Sequence, residues 1–361
     1  MQQKLDYIDA LRGIAILLVL IVHVNQYGSP IVSYTLNQFI AEGNKGVQLF
    51  YVASAFTLYL SFQHKFQKEK SPIRNFFLRR FFRIAPMYYL GIIYYLYQDG
   101  LGARYWLGDA TEITIANITA NFLFLHGLNP YWITSVVHGG WSIAVEMMFY
   151  VIVPYLFMKV KNINTAVNLL LATLIVRAVL QLFFEKHQLI PSATLWHEYL
   201  YMYFPNQLPV FIVGILLYFV IIKPESLKEI KGQTLLALAT FLFIHLCMSG
   251  LFLFPIHVIF SMVFLLLCVG LSKYHFKLLV NPIIIHIGKV SFSMYLVHFA
   301  VLYWLKEYNF VEFTQNSVLN YTIRFCVATS ISVLIATLFY HAVELPFQQL
   351  GKKVIDRLER V

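Results

Sequence analysis

Apolar side chains in this chain run in long blocks rather than in the one-faced stripes of a water-facing helix or the alternation of a half-buried strand. A helix needs about 20 mostly apolar residues to cross the hydrocarbon core of a bilayer. Blocks of that length predict ten spans, at about residues 8–27, 45–63, 81–98, 141–158, 166–184, 207–222, 233–249, 253–271, 283–305 and 320–341. The apolar stretch 114–126 is too short to cross and predicts a re-entrant or interfacial helix. The expected fold is all-α: a polytopic membrane helix bundle of about ten transmembrane helices. It forms a single membrane-embedded domain over residues 1–361, with 348–361 as a basic cytoplasmic tail.

Composition sharpens this picture. Of the 361 residues 59% are hydrophobic and 12% charged, with a mean hydropathy of +0.68. A soluble domain carries about 25% charged residues, and surface-to-volume scaling leaves it no way to hide such an apolar excess. Soluble enzymes, disordered chains and nucleic-acid-binding domains are excluded. The net charge of +10 then belongs to the loops, because cytoplasmic loops of membrane proteins are rich in Lys and Arg. With the N-terminus inside, most of the cations fall in inner segments, notably Lys65, Lys68, Lys70, Arg74, Arg79, Arg80 and Arg83. The predicted outer loops hold only Lys45, Arg104, Lys186 and Lys306. An even span count returns the C-terminus to the cytoplasm, which gives a multi-pass protein of the cell membrane with both termini inside and membrane lipids around it. The N-terminal stretch that leads into the first span carries Asp6 and Asp9, and no small-x-small cleavage pattern follows the apolar run, so this span is expected to be a retained helix. Cys247, Cys268 and Cys326 all lie in apolar stretches without ligand spacing, so neither a disulfide nor a metal site is expected.

Ionisable side chains inside a bilayer are costly, about 2.5–3.5 kcal/mol each on insertion scales, and therefore mark candidate functional positions. Arg12 and His23 in the first span are eleven residues apart, three helical turns plus about 20°, which places them on one face. Arg80 and Arg83, at i and i+3 where the third span begins, offer neighbouring guanidinium forks suited to phosphate, although basic aromatic runs at membrane edges are also ordinary anchors. Glu146, in Trp141-Ser142-Ile143-Ala144-Val145-Glu146, lies about one turn into a span that starts outside, at a depth comparable to that of His23. A carboxylate there can orient an imidazole or balance its charge, with His138 as the competing partner. Ser291, Tyr295 and His298 recur at i, i+4 and i+7, a polar stripe that faces protein or water and either binds substrate or ties helices together. Arg177, Arg324 and the His341-Ala342-Val343-Glu344-Leu345-Pro346-Phe347 run are expected to be structural.

Five segments in this order resemble acyltransferase family three, the membrane proteins that O-acylate cell-surface carbohydrates. They are Arg12-x10-His23, Arg80-x-x-Arg83-Ile-x-Pro86, Trp141-Ser-x-x-Val-Glu146-x-x-Phe-Tyr150, Gly288-Lys-x-Ser291-x-Ser-x-Tyr295-Leu-x-His298 and Glu344-x-Pro346-Phe347. The resemblance implies ten helices and a cytoplasmic acyl-CoA, usually acetyl-CoA, as donor substrate, with no bound cofactor. It also implies that Arg12, His23, Arg80 and Arg83 are essential. Many relatives carry a fused esterase-like domain of the SGNH type, and this chain is expected to be of the stand-alone kind. Met147 and Met148 replace the polar or aromatic residues that often follow the family's glutamate.

Residue placement and resemblance together predict an O-acetyltransferase. Arg12, Arg80 and Arg83 would hold the CoA phosphates, while His23 acts as general base or takes the acyl group itself. Glu146 supports the imidazole, and Ser291, Tyr295 or His298 contact the carbonyl oxygen or the carbohydrate acceptor. The rival reading is a multi-pass transporter or flippase with an intramembrane proton relay of the same His, Glu and Arg residues. The absence of repeat symmetry and the one-sided Arg cluster count against it.

Overall fold

The computed structural model describes residues 6–103, 110–222 and 255–360, with scattered positions between 232 and 246. Apart from one bridge between Gly102 and Glu112, every regular element among the described residues is helical. In chain order these are α1 (Asp6–Gln26), α2 (Tyr34–Ala41), α3 (Gly46–Lys65), α4 (Pro72–Asp99), α5 (Ile115–Phe122), α6 (Gly140–Lys159) and α7 (Ile163–Lys186). There follow α8 (Ala193–Met202), α9 (Phe204–Ile222), α10 (Ile256–Lys273), α11 (Pro282–Lys289), α12 (Ser291–Glu307), α13 (Ser317–Phe339) and α14 (Leu345–Arg360). Helices occupy each expected span except 233–249, which falls largely outside the described residues together with Cys247. Among the described residues, six helical runs are long and apolar enough to cross a membrane: Asp6–Gln26, Gly140–Lys159, Ile163–Lys186, Ala193–Ile222, Ile256–Lys273 and Ser317–Arg360. The pair α11–α12 makes a seventh if it counts as one span. This is an all-α, multi-pass membrane protein.

The expected single helix over 283–305 is in fact that pair, bent by 81°. Asn281 caps α11 through the amides of Ile283 and Ile284, with Pro282 at the first helical position, where its missing N–H costs nothing. The ladder stops at Val290, whose ψ of 7° leaves the helical range. The stretch 114–126 holds only the eight-residue α5 and the start of a 3₁₀ turn at His126–Leu128, too short to cross. Residues 348–361, expected as a tail, fall largely within α14, which packs against α4.

The chain folds as two compact units. In the first (Met1–Thr57 with Val213–Tyr340), α1 is the central element, packed against α11, α12, α13 and α10. Ile8, Leu11, Ile16, Val19, Leu20 and Val24 are buried along it. Neighbours approach its backbone through glycines: a Cβ at Gly288 would lie 1.7 Å from the Asp9 carbonyl oxygen, and one at Gly46 2.3 Å from that of Ala15. Small residues replace the hydrophobic effect as the means of close packing where the solvent is lipid.

The second unit (Leu58–Ile212 with His341–Val361) joins α4 to α5, α6 and α14, and α6 to α8. Its α7 explains the composition. Leu171, Ile175, Val179 and Leu182 are all more than half exposed, an arrangement that only lipid makes favourable.

Candidate active site

Helix α1 carries Arg12 and His23, as spacing required. Arg12 donates through Nη1 to Asp9 Oδ1 (3.2 Å) and through Nη2 to Thr57 Oγ1 (3.1 Å). The threonine hydroxyl in turn donates to the Ala53 carbonyl, so α3 fixes one edge of the guanidinium fork. With its side chain 18% exposed, Arg12 is a paired cation close to a helix end, not a buried isolated charge.

Three turns along, His23 Nδ1 lies 2.8 Å from Gln26 Oε1. An amide oxygen only accepts, so Nδ1 bears the proton and Nε2 keeps the lone pair. The ring packs 4.3 Å from that of Phe299 and 5.4 Å from that of His298, centroid to centroid. His298 is fully buried, and its Nδ1 donates to the Tyr295 carbonyl at 2.7 Å, which sets the same tautomer. The polar stripe of α12 therefore faces protein: Ser291, Tyr295 and His298 are all buried. Tyr295 also meets Phe50 of α3 edge to face at 6.2 Å. Both imidazoles thus have Nδ1 engaged as donor, which leaves Nε2 as the nitrogen that carries the lone pair.

Arg324 is structural, as expected. Fully buried, it donates to the carbonyls of Val24 (3.0 Å), Val311 (2.8 Å) and Ser29 (3.1 Å), and so closes the C-terminal end of the helix that bears His23. Glu312 lies 3.6 Å from it and accepts the Ser29 N–H, a bond that, ahead of its other contacts, holds this carboxyl below the usual range.

In the second unit the Tyr150 hydroxyl donates to Glu146 Oε1 at 2.7 Å, one turn along α6. The Arg80 guanidinium lies 5.7 Å from the centroid of the same Tyr150 ring and 5.8 Å from that of Phe76. One tyrosine thus links the carboxylate to the cation, a pairing absent from the spacing argument. Arg83 follows one turn later on α4, half-buried. His138, the expected competitor for Glu146, bonds through Nε2 to Asp99 Oδ2 at 2.8 Å and stacks on Tyr95.

Within the same unit lies a buried polar chain. His126 Nε2 donates to the Gly140 carbonyl (3.1 Å) and meets the Tyr88 hydroxyl (3.0 Å), which donates to Asn121 Oδ1. Asn121 donates on to Asn117, which also accepts from Ser135. Burial pushes the His126 imidazole down to about 4, against the pull of its main-chain hydrogen bonds, so it stays neutral and holds the N-terminus of α6 without carrying charge.

With this geometry in place, the sequence model of a family described as an acyltransferase domain matches residues 5–341. The chain belongs to acyltransferase family three. A provisionally named O-acetyltransferase of Staphylococcus aureus (strain COL) is 23% identical over 98% of this chain and 59% of its own length. Its counterpart in strain MSSA476 is 23% identical over 97% and 58%. A peptidoglycan O-acetyltransferase of Listeria monocytogenes serovar 1/2a is 28% identical over 43% of the chain and 25% of its own length. The chain spans about three-fifths of the length of its Staphylococcus relatives. No solved structure matches it.

Several partners in this acyltransferase family member escaped the sequence reading. Gln26 and Tyr150 sit at i+3 and i+4 from His23 and Glu146, so helical spacing could have found them. Thr57, Phe299 as a neighbour of His23, and Asp99 lie far along the chain from their partners and gave no local signal.

Proposed function

We propose that this protein is a membrane O-acyltransferase that moves an acyl group, acetyl in the first instance, from acyl-CoA to a hydroxyl of a cell-surface or lipid-linked carbohydrate. Family membership supports the reaction class, and the names of the relatives support O-acetylation of a cell-wall glycan. The observation that carries the chemistry is His23, with Nδ1 held by Gln26 and Nε2 as the basic nitrogen, beside the buried His298.

In the proposed reaction His23 Nε2 removes the proton of the acceptor hydroxyl as its oxygen attacks the thioester carbonyl. The C–O bond forms and the C–S bond breaks. The departing CoA thiolate then takes the proton back from the imidazolium, giving the free thiol and the ester. His298, whose ring neighbours His23, stabilises the cation that forms transiently there. Arg12, and separately Arg80 and Arg83, supply fixed positive charge for the phosphates of CoA. Glu146, through Tyr150, keeps the aromatic face on which Arg80 rests in place. Ser291 and Tyr295 contact the carbonyl oxygen or the sugar.

The test is release of free thiol from acetyl-CoA by the purified protein with a cell-wall glycan as acceptor. Wild type is expected to turn over, His23→Ala to lose about 10²–10⁴-fold in rate, and Arg83→Ala chiefly to weaken donor binding. Failure of the wild type to bind or turn over any acyl-CoA would sink the reading.

A further inference from the structure

Helix α14 (Leu345–Arg360) presents three different faces. Gly351, Ile355 and Glu359 lie along the face packed on α4, with a Cβ at Gly351 only 2.8 Å from the Phe82 side chain. The far end of that face is pinned, since Glu359 accepts from the main-chain N–H groups of Lys70 (2.6 Å) and Ser71 (3.1 Å), from Asn75 (2.8 Å) and from Arg74 (3.3 Å). A second face is apolar and bare. Phe347, Leu350, Val354 and Leu358 follow i, i+3, i+7 and i+11, one stripe on a 3.6-residue helix. Phe347, Leu350 and Leu358 are 41%, 47% and 40% exposed. Lys353 and Arg357 border that stripe on the side away from α4, with Arg360 behind them, all exposed.

We propose that α14 lies in the plane of an anionic lipid surface. The Phe347–Leu358 stripe enters the boundary between headgroups and acyl chains, and Lys353, Arg357 and Arg360 bind lipid phosphates along its rim. A bare apolar stripe flanked by cations is the arrangement that fits an interfacial helix, each cation adding attraction to an anionic leaflet. Charge complementarity favours lipid over a second copy of this chain, because the stripe's border is cationic and the chain carries +10 overall. Through Glu359 the contact also reaches Lys70, Ser71, Arg74 and Asn75 at the head of α4, the helix that carries Arg80 and Arg83.

The test uses the full chain in nanodiscs of phosphatidylcholine alone or mixed with phosphatidylglycerol, and needs no turnover, so its failure is distinct from failure of the acyltransferase reading. In a background with the native cysteines replaced by alanine, a nitroxide at Leu358→Cys is expected to meet oxygen more readily than a water-soluble nickel chelate. A nitroxide at Asp356→Cys is expected to do the reverse. Amide exchange of residues 347–360 is expected to slow about tenfold on adding phosphatidylglycerol, and Lys353→Glu/Arg357→Glu should remove that slowing. Equal access of both probes to positions 356 and 358 would overturn the proposal. A position 358 shielded from both would also overturn it, assigning the stripe to a protein partner. Exchange indifferent to phosphatidylglycerol would overturn the anionic requirement.

Discussion

Gly288 of α11 meets the main chain of Asp9 in α1 with no room for a side chain, since a methyl group there would stand 1.7 Å from the Asp9 carbonyl oxygen. Gly13 faces the same crossing, its Cβ position 2.3 Å from the Ile284 carbonyl. Two glycines thus let α11 and α1 touch backbone to backbone. Gly288→Ala must push the helices apart, a loss of roughly 3 kcal/mol or more by the overpacking route. The measurement is the unfolding midpoint in detergent. A shift within error of wild type would mean that α11 does not pack this way.

His298 is buried against His23, and its tautomer is set by a main-chain carbonyl. His298→Gln is expected to lower turnover by at least about tenfold while leaving acyl-CoA affinity unchanged, because it removes a partner of the developing imidazolium. Tyr295→Phe keeps the main-chain bond to His298, so any loss it causes belongs to the hydroxyl. The expectation is a raised KM for the acceptor with kcat nearly intact. A His298→Gln enzyme with wild-type kcat would remove this residue from the chemistry.

Six of the spans were legible because lipid imposes length and apolarity on a whole helix at once, and the buried stripe of α12 was legible because helical spacing alone defines a face. The break at Val290 was not. The run from Ile283 to Leu305 has no proline, and the bend accompanies the contact between Gly288 and α1, which lies far away in sequence. The placement of Arg80 on the Tyr150 ring was hidden for the same reason, since 70 residues separate the two. Spacing suggested Glu146 as a partner for an imidazole. Tyr150, at i+4, donates to this carboxylate, a pair that spacing contains but that charge-based reasoning overlooks.

Arg324 closes the end of α1 by holding the Val24 carbonyl, which has no helical partner, and ties it to the loop carbonyls of Ser29 and Val311. Arg324→Lys keeps the charge but cannot span all three, so about 2–4 kcal/mol is expected to be lost. Gly28→Ala should mimic it, as the added Cβ would lie 1.9 Å from Arg324 Nη1. Glu312, whose carboxyl is held low chiefly by the Ser29 N–H, adds stability above its unfolded pKa and loses that contribution as pH falls through its folded value. Glu312→Gln should therefore flatten the acid end of the stability profile. An unchanged profile would remove Glu312 from the account.

His126 gives a second pH signature, set by burial rather than by a donated hydrogen bond. Its folded value of about 4 lies below the ordinary 6.5, because burial disfavours the imidazolium. Between those two values the unfolded chain binds a proton that the folded chain refuses, so stability falls as pH drops from about 6.5 to about 4 and levels off on either side. The full excursion is at most about 3 kcal/mol. His126→Gln is expected to lower stability at neutral pH, where the Gly140 and Tyr88 contacts weaken, and to remove the slope between those limits. Thermal midpoints of wild type and variant across that window decide it. Parallel curves would mean that the imidazole titrates freely and that the network from Tyr88 to Ser135 does not seal it from water.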